Sequence, residues 1–182
     1  MNTGVISMRY AKALLEYAME QGDENAVYAD MKQLIYTLQA IKELPVMLRD
    51  PMLSAKKRVK LICSISETSA SFKRFAYLVV KEEREDMLLF MAHSYISLYR
   101  KKKGIRAVSL TTAVPVCDSF KEKLAGIIKG NEEEDVEMTA TVDPSIIGGF
   151  VCDVDYSRLD ASVSTQLRIA RKQLVKQNRK LV

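Results

Sequence analysis

The 182-residue sequence contains no tryptophan and a single histidine, His93. No apolar run approaches the ~18 residues of a membrane-spanning helix, so the sequence predicts no transmembrane segment. His93 has no carboxylate or cysteine beside it in a recognisable catalytic pattern, and such a histidine is usually a packed or surface residue. A Ser-His-Asp order, a P-loop, an HExxH motif and paired carboxylates are also absent. These absences argue against an enzyme and predict no cofactor.

Cysteine is sparse as well. Cys63, Cys117 and Cys152 are odd in number and far apart, without the close spacing of zinc ligands. We therefore expect buried, reduced thiols and no metal site. The first residues show no charged n-region, apolar h-region or Arg-rich transit pattern, which predicts that the protein stays in the compartment where it is made.

Residues 1–104 carry helical periodicity throughout. A first helix is predicted from Thr3 to Gln21, with Gly22 as its stop. Its apolar residues cover about two-thirds of the helix circumference, whereas a surface helix needs an arc of only a little over ~100°. Such a helix either lies at the centre of its bundle, which the pattern alone favours slightly, or offers a second apolar face to a partner. The segment Phe72–Val80 shows the same excess.

The chain changes character at Gly104, after which β-branched residues alternate from Ile105 to Val114. The sequence therefore predicts an α+β fold. An N-terminal six-helix bundle over residues 1–104 is followed by a small α/β domain over residues 105–182, with a short sheet and two helices. The helices of this second domain are predicted at Asp118–Lys129 and from about Asp160 onward.

Two further strands are predicted by alternating apolar residues at 136–142 and 150–156. Between them, Pro144 cannot donate to a strand ladder, and Gly148 and Gly149 supply positive φ or a close backbone approach. We interpret the pair as a hairpin with a shaped connection. A phosphate-binding loop is the less favoured alternative, because these glycines lead into a strand and not into a helix N-terminus.

Charge is segregated in the second half of the chain. Nine acidic residues and only Arg158 among bases lie between Glu132 and Asp160, whereas residues 168–182 hold six bases and no acid. Such a basic tail suits docking onto an acidic surface. The last helix also carries an apolar stripe, which can lie on the sheet or pair with another helix; it comprises Val163, Leu167, Ala170 and Leu174.

Nucleic-acid binding is the rival interpretation. The net charge is +5, and basic clusters at Lys56–Lys60, Arg100–Lys103 and Arg168–Lys180 could contact phosphates. No helix-turn-helix, RNP-like run or zinc pattern accompanies these clusters. The sequence therefore favours a protein connector, with a basic nucleic-acid-binding adaptor as the alternative.

Two motifs together resemble a known family. The run from Val136 through Asp143, Ile146, Gly148, Gly149 and Phe150, followed by the helix start at 160–167, resembles the C-terminal signature of the delta subunit of bacterial ATP synthase. Its mitochondrial relative is the oligomycin-sensitivity-conferring protein. The run Arg9–Leu14 is similar to that family's opening helix, so the resemblance covers nearly the whole chain. Cys152, where an aliphatic residue is expected, and the missing tryptophan depart from the pattern.

The resemblance implies a non-catalytic stator subunit. The helical bundle would receive the N-terminal helix of the ATP synthase alpha subunit on top of the catalytic head, and the second domain would bind the C-terminal end of the b subunits of the peripheral stalk. It would associate with the membrane only through the complex, at the cytoplasmic face of the bacterial cell membrane, and bind no nucleic acid.

We expect three sets of partner-binding residues. Exposed apolar faces of the first and fifth helices should adjoin and form a groove for an amphipathic helix. The basic face of the last helix should bind the stalk. These sets are Tyr10, Ala11, Leu14 and Ala18; Phe72, Phe75, Ala76 and Val79; and Arg168, Arg171, Lys172 and Lys176, followed by Arg179 and Lys180.

Overall fold

The computed structural model describes residues 3–50, 52–65, 69–129, 135–154 and 157–178. The chain divides into two compact units, Met1–Lys102 and Lys103–Val182. A helical first unit and a second unit built on a four-stranded sheet confirm the predicted α+β fold class. Among the helices in the described ranges, none combines the length and the hydrophobicity needed to cross a bilayer.

Six α-helices and one 3-10 helix are found in the described part of the first unit. The first helix has the predicted bounds and is followed by Gly22, whose φ of +73° suits the residue after a helix end. The helices are α1 (Thr3–Gln21), α2 (Glu24–Ala40), α3 (Leu44–Leu48), α4 (Ala55–Cys63), α5 (Ala70–Lys81), a 3-10 helix at Glu85–Met87 and α6 (Leu88–Lys103).

Helix α5 organises the core of this unit, since it packs against α1, α2 and α4. The largest side chains withdrawn from solvent here include Tyr95, Phe72 and Met31. Burying apolar area of this kind is the main stabilising contribution, at about 25 cal/mol per Å². Burial raises the pKa of the Tyr95 hydroxyl, which donates to the carbonyl of Glu24 at 3.3 Å.

The second unit is built on a mixed sheet in the order β2-β1-β3-β4. Strand β1 lies parallel to β2 and antiparallel to β3, while β3 and β4 are antiparallel. Its elements are β1 (Ile105–Thr112), α7 (Asp118–Lys129), β2 (Asp135–Val142), a 3-10 helix at Pro144–Ile146, β3 (Phe150–Val154), β4 (Ser157–Asp160) and α8 (Val163–Asn178).

The predicted hairpin between residues 136–142 and 150–156 is wrong. Strands β2 and β3 do not pair with each other, because β1 lies between them and bonds to both: Val108 is opposite Met138 on one side and Val154 on the other. Alternating apolar residues identify strands but do not specify which strand pairs with which. Strand β4 was not predicted.

One face of the sheet is covered by α7. Val108, Leu110 and Cys152 form the buried centre, and the partly buried hydrophobic residues packed against them include Phe120 and Leu124 of α7. The expectation of buried thiols therefore holds for Cys152. It is wrong for Cys117, which is exposed, and Cys63 is only half-buried; none of the three cysteines forms a disulfide.

Gly148 and Gly149 bring the start of β3 against the start of α8. Gly149 has a φ of +74°, and a Cβ at this position would lie 2.2 Å from the carbonyl oxygen of Ala161. The amide of Ala161 donates to Phe150 at 2.9 Å and the amide of Val163 donates to Gly148 at 3.0 Å. The glycines therefore permit the close backbone approach that the sequence predicted, here between a strand and a helix.

Candidate partner-binding sites

An apolar groove of about 340 Å³ lies between α1 and α5 of the first unit. Leu14 and Phe75 are each about 5% exposed and line it, and Leu78 is 45% exposed. Its lining contains two arginines and no acidic side chain. The lining residues are Arg9, Tyr10, Ala13, Leu14, Tyr17, Ser71, Arg74, Phe75 and Leu78.

The predicted faces of α1 and α5 coincide with this groove only in part. Three of the eight predicted residues line the groove: Leu14, Phe75 and Tyr10, the last of which is half-buried. The expectation that the others form an exposed apolar face is wrong, because they are buried in the bundle: Ala11, Ala18, Phe72, Ala76 and Val79.

The reason for this correction is that the centre of each apolar arc packs into the bundle, where α1 contacts α2 and α5, and α5 contacts α1, α2 and α4. Small and large side chains are buried there alike: the three alanines are 1% exposed or less, and Phe72 and Val79 are fully buried. The groove is lined instead by residues at the margin of each arc, such as Ala13, Tyr17 and Leu78. An excess apolar arc signals an additional contact surface but does not say which part of the arc faces the core.

The start of α5 is fixed to α2 by two serine–aspartate contacts. The amide and hydroxyl of Ser69, the N-cap of α5, both donate to Asp30 Oδ2, at 2.9 and 2.8 Å. The hydroxyl of Ser71 donates to Asp23 Oδ1 at 2.9 Å. Since Ser71 also lines the groove, these bonds hold that end of the groove in place.

Helix α8 is the second candidate site. It packs on the 3-10 helix at 144–146, while residues 166–173 are exposed. Arg168, Arg171 and Lys172 are therefore available to a partner, and Leu167 and Ile169 are 57% and 49% exposed beside them. Lys176 and Leu174 belong to α8, but their side chains lie outside what the structure describes, as do Arg179 and Lys180 altogether.

The start of α8 is capped by a polar cluster. Ser162, and not Asp160 as predicted, precedes the first helical residue, and its Oγ accepts a bond from the amide of Thr165 at 3.3 Å. Asp160 accepts from the Ser162 hydroxyl at 2.6 Å, from the Ser162 amide at 3.0 Å and from the Thr165 hydroxyl at 2.9 Å. These bonds, those from Ser162 foremost, lower the pKa of the Asp160 carboxyl to about 2.

Neither the lining of the groove nor the exposed residues 166–173 of α8 contain a histidine, a cysteine or a carboxylate. His93 is exposed on α6, and the part of the chain that the structure describes contains no group of three or more His, Cys, Asp or Glu residues placed to hold a metal ion. The groove and α8 instead present two surfaces that suit the binding of another protein: an apolar groove and a basic helix face.

Similarity to known proteins agrees with this description. The family model for the ATP synthase delta (OSCP) subunit matches residues 6–174. The ATP synthase subunit delta of Bacteroides fragilis is 41% identical over 186 aligned residues, covering 100% of both chains. That of Phocaeicola vulgatus is 40% identical over 185 residues, also covering 100% of both chains. That of Rhizobium etli is 31% identical over 168 residues, covering 91% of this chain and 89% of the relative.

A solved structure shares the fold. A chain in the cryo-EM structure of the Toxoplasma gondii mitochondrial ATP synthase hexamer superposes with a TM-score of 0.71 at 20% identity, covering 93% of this chain and 97% of that one. These similarities identify the class of the protein as a subunit of a rotary ATP synthase. The chain belongs to the ATP synthase delta (OSCP) subunit family, whose place in the enzyme is the peripheral stalk. None of these similarities supports the nucleic-acid alternative.

Proposed function

We propose that this chain connects the catalytic head of a rotary ATP synthase to its peripheral stalk and performs no chemistry of its own. The helical unit binds the N-terminal helix of the alpha subunit in the groove between α1 and α5. The second unit binds the C-terminal end of the b subunits through α8. The protein thereby holds the head still against the torque of the rotor during proton-driven ATP synthesis.

The apolar groove of the helical unit is the observation that carries this proposal. Its length along α1, from Tyr10 to Tyr17, spans two helical turns, or about 10 Å at 1.5 Å per residue. An amphipathic helix laid along it would bury apolar side chains against Leu14, Phe75 and Leu78. A groove of this kind suits helix-in-groove recognition, because it follows α1 for two turns and presents apolar side chains between its ends.

The stalk contact rests on the exposure and charge of α8. Three of its bases, Arg168, Arg171 and Lys172, lie beyond the first turn of the helix, within the exposed residues 166–173. A partner with acidic or mixed charge would complement them, and the contact would weaken as salt rises because the charges are exposed. Bound in this way to the head and the stalk, the protein would be peripheral to the cytoplasmic face of the membrane and associated with it only through the complex.

Leu78→Asp tests the groove without disturbing the core, because this side chain is 45% exposed and lines the groove. We expect it to weaken binding to the purified catalytic head of the cognate enzyme by about tenfold or more, the loss typical of a central interface residue. The control is Tyr77→Asp: Tyr77 is the preceding residue of α5, is 62% exposed and does not line the groove. Equal binding by both variants in a titration with the head would exclude the groove as the binding site.

A further inference from the structure

Two arginine–tyrosine pairs lie near the ends of the groove; both tyrosines and Arg74 line it together with Arg9, and Arg84 reaches it through its contact with Tyr10. The guanidinium of Arg84 lies over the ring of Tyr10, 5.3 Å from its centroid, and that of Arg74 lies over the ring of Tyr17 at 5.6 Å. Arg74 also donates to the hydroxyl of Tyr17. Because the two tyrosines are two turns apart on α1, a cation is held near each end of the groove, with the apolar lining between them.

The backbone that carries Arg84 is fixed. It follows Glu83, whose φ of 51° turns the chain between α5 and the 3-10 helix. The next residue, Glu85, pairs with Arg58 at 2.6 Å, and the two side chains are only 6% and 16% exposed. A buried ion pair with this geometry fixes the position of the turn. The backbone is therefore constrained both before and after Arg84, which keeps its guanidinium over the Tyr10 ring.

Arg74 and Arg84 are both available to form an ion pair with a partner. Among the residues that the structure describes, neither guanidinium is paired with a carboxylate, and the groove lining has no acidic member. A guanidinium stacked on a ring keeps donors at its edge for a carboxylate, and stacking reduces the freedom that it loses on binding. The ends of the groove are therefore ready to bind anions, whereas its middle is apolar.

We propose that Arg74 and Arg84 determine which helix enters the groove and in which register, by pairing with two acidic side chains about seven residues apart. On a helix, positions i and i+7 lie on nearly the same side and about 10 Å apart, which corresponds to the separation of Tyr10 and Tyr17. The occupant is thus an acidic amphipathic helix with its apolar stripe beside this pair of acids. The inference rests on the proposed function, in which the occupant is the N-terminal helix of the alpha subunit.

Three synthetic amphipathic helices with one shared apolar stripe test this directly on the full-length chain. The first carries Glu at i and i+7, the second carries the same two Glu residues at i and i+3, and the third carries Gln at i and i+7. In calorimetric titrations at low salt, we expect the first to bind about fivefold more tightly than either of the others, the range of a partly exposed charge pair at each end. High salt should reduce this preference.

Arg74→Gln and Arg84→Gln should each remove the preference for the first peptide over the second, because the one remaining arginine can pair with a glutamate at either spacing. Each replacement should also reduce, without abolishing, the preference over the Gln peptide, while the apolar binding is retained. Lys73→Gln is the matched control, since it removes one charge from the adjacent position of α5. Lys73 lies near Cys63, whose thiol pKa is raised by burial and lowered in part by this lysine, and it does not line the groove. The Gln peptide provides the same test on the unmodified protein, so the result does not depend on the stability of any variant.

Equal binding of all three peptides by the unmodified chain would overturn the role of the arginines. If Leu78→Asp still abolished that binding, the groove would remain a helix-binding site and only its selectivity would be refuted. If Leu78→Asp changed neither the binding of any peptide nor the binding of the catalytic head, the proposed function of the groove itself would be refuted. A self-associated dimer that Leu78→Asp dissociates would show that a second copy of the chain is the occupant, which would also overturn the proposal.

Discussion

Gly149 occupies a tightly constrained backbone position in the second unit. Its positive φ, together with the 2.2 Å that would separate an added Cβ from the Ala161 carbonyl oxygen, excludes any side chain without movement of the backbone. Gly148 is less restricted, because a Cβ there would meet the side chain of Val163 at 3.2 Å. The sequence identified both glycines as special but could not say what approaches them, since the contact is with a segment twelve or so residues along the chain.

Gly149→Ala is expected to destabilise the second unit by about 2–4 kcal/mol, from backbone strain together with overpacking against Ala161. The control is Gly126→Ala in α7, where nothing lies within 4 Å of an added Cβ. There alanine should stabilise the helix by about 0.5–1 kcal/mol. Denaturant unfolding followed by circular dichroism measures both changes. A Gly149→Ala protein as stable as the original would show that α8 does not begin where the structure has it.

At the scale of elements, the sequence predicted α1, α7 and the start of β1 at their observed bounds, because turn residues and a clear period mark them. The sequence-based prediction failed wherever strand pairing or helix packing depends on a segment that is distant in the chain. Strand β1 separates β2 from β3, and no local pattern contains that information. The same limit applies to the groove: the excess apolar arc of α1 was visible, but the packing of α5 decided that Ala11 and Ala18 face the core while Ala13 and Tyr17 face the groove.

The cap of α8 makes the stability of this helix depend on pH. The carboxyl of Asp160 has a pKa of about 2 in the folded protein against an ordinary value of 3.8. Because folding lowers this pKa, the stabilisation is fully present above about pH 5 and is lost as the pH falls toward 2. Asp160→Asn should therefore be less stable than the original protein at pH 7, with a difference that narrows between pH 4 and pH 2.

Thermal unfolding of the two proteins at pH 7, 4, 3 and 2 measures this difference. Comparing them at each pH cancels the titration of the other carboxylates, which both proteins share. A difference in stability that stays constant over the whole range would mean that the Asp160 carboxylate is not held by Ser162 and Thr165.

At the scale of the whole molecule, the two units are expected to serve different partners. Deleting residues from Lys172 onward should release the b subunits, because it removes basic residues of α8, while the helical unit stays folded and bound to the catalytic head. Replacing Arg168, Arg171 and Lys172 together by Gln should weaken stalk binding several-fold at low salt and less at about 0.3 M salt, where exposed charges are screened.

The control for this charge change is the triple replacement of Lys56, Lys57 and Lys60 by Gln. These three lysines are exposed on or near the first turns of α4 in the helical unit, and their loss alters the net charge equally. Titration with the soluble part of the b subunits at both salt concentrations distinguishes the two variants. Unchanged affinity after the truncation would show that the stalk is bound elsewhere.

The central position of β1 also has a consequence for the order in which the molecule is made. Strand β1 is the first strand of the sheet to be synthesised. Both strands that pair with it, β2 and β3, lie further along the chain and are synthesised later. Helical units dominated by local contacts fold quickly, whereas sheets that depend on distant pairings fold slowly. We therefore expect the helical unit to reach its native state on the ribosome while β1 still has two unpaired edges, so that the growing chain is most prone to aggregate in this interval.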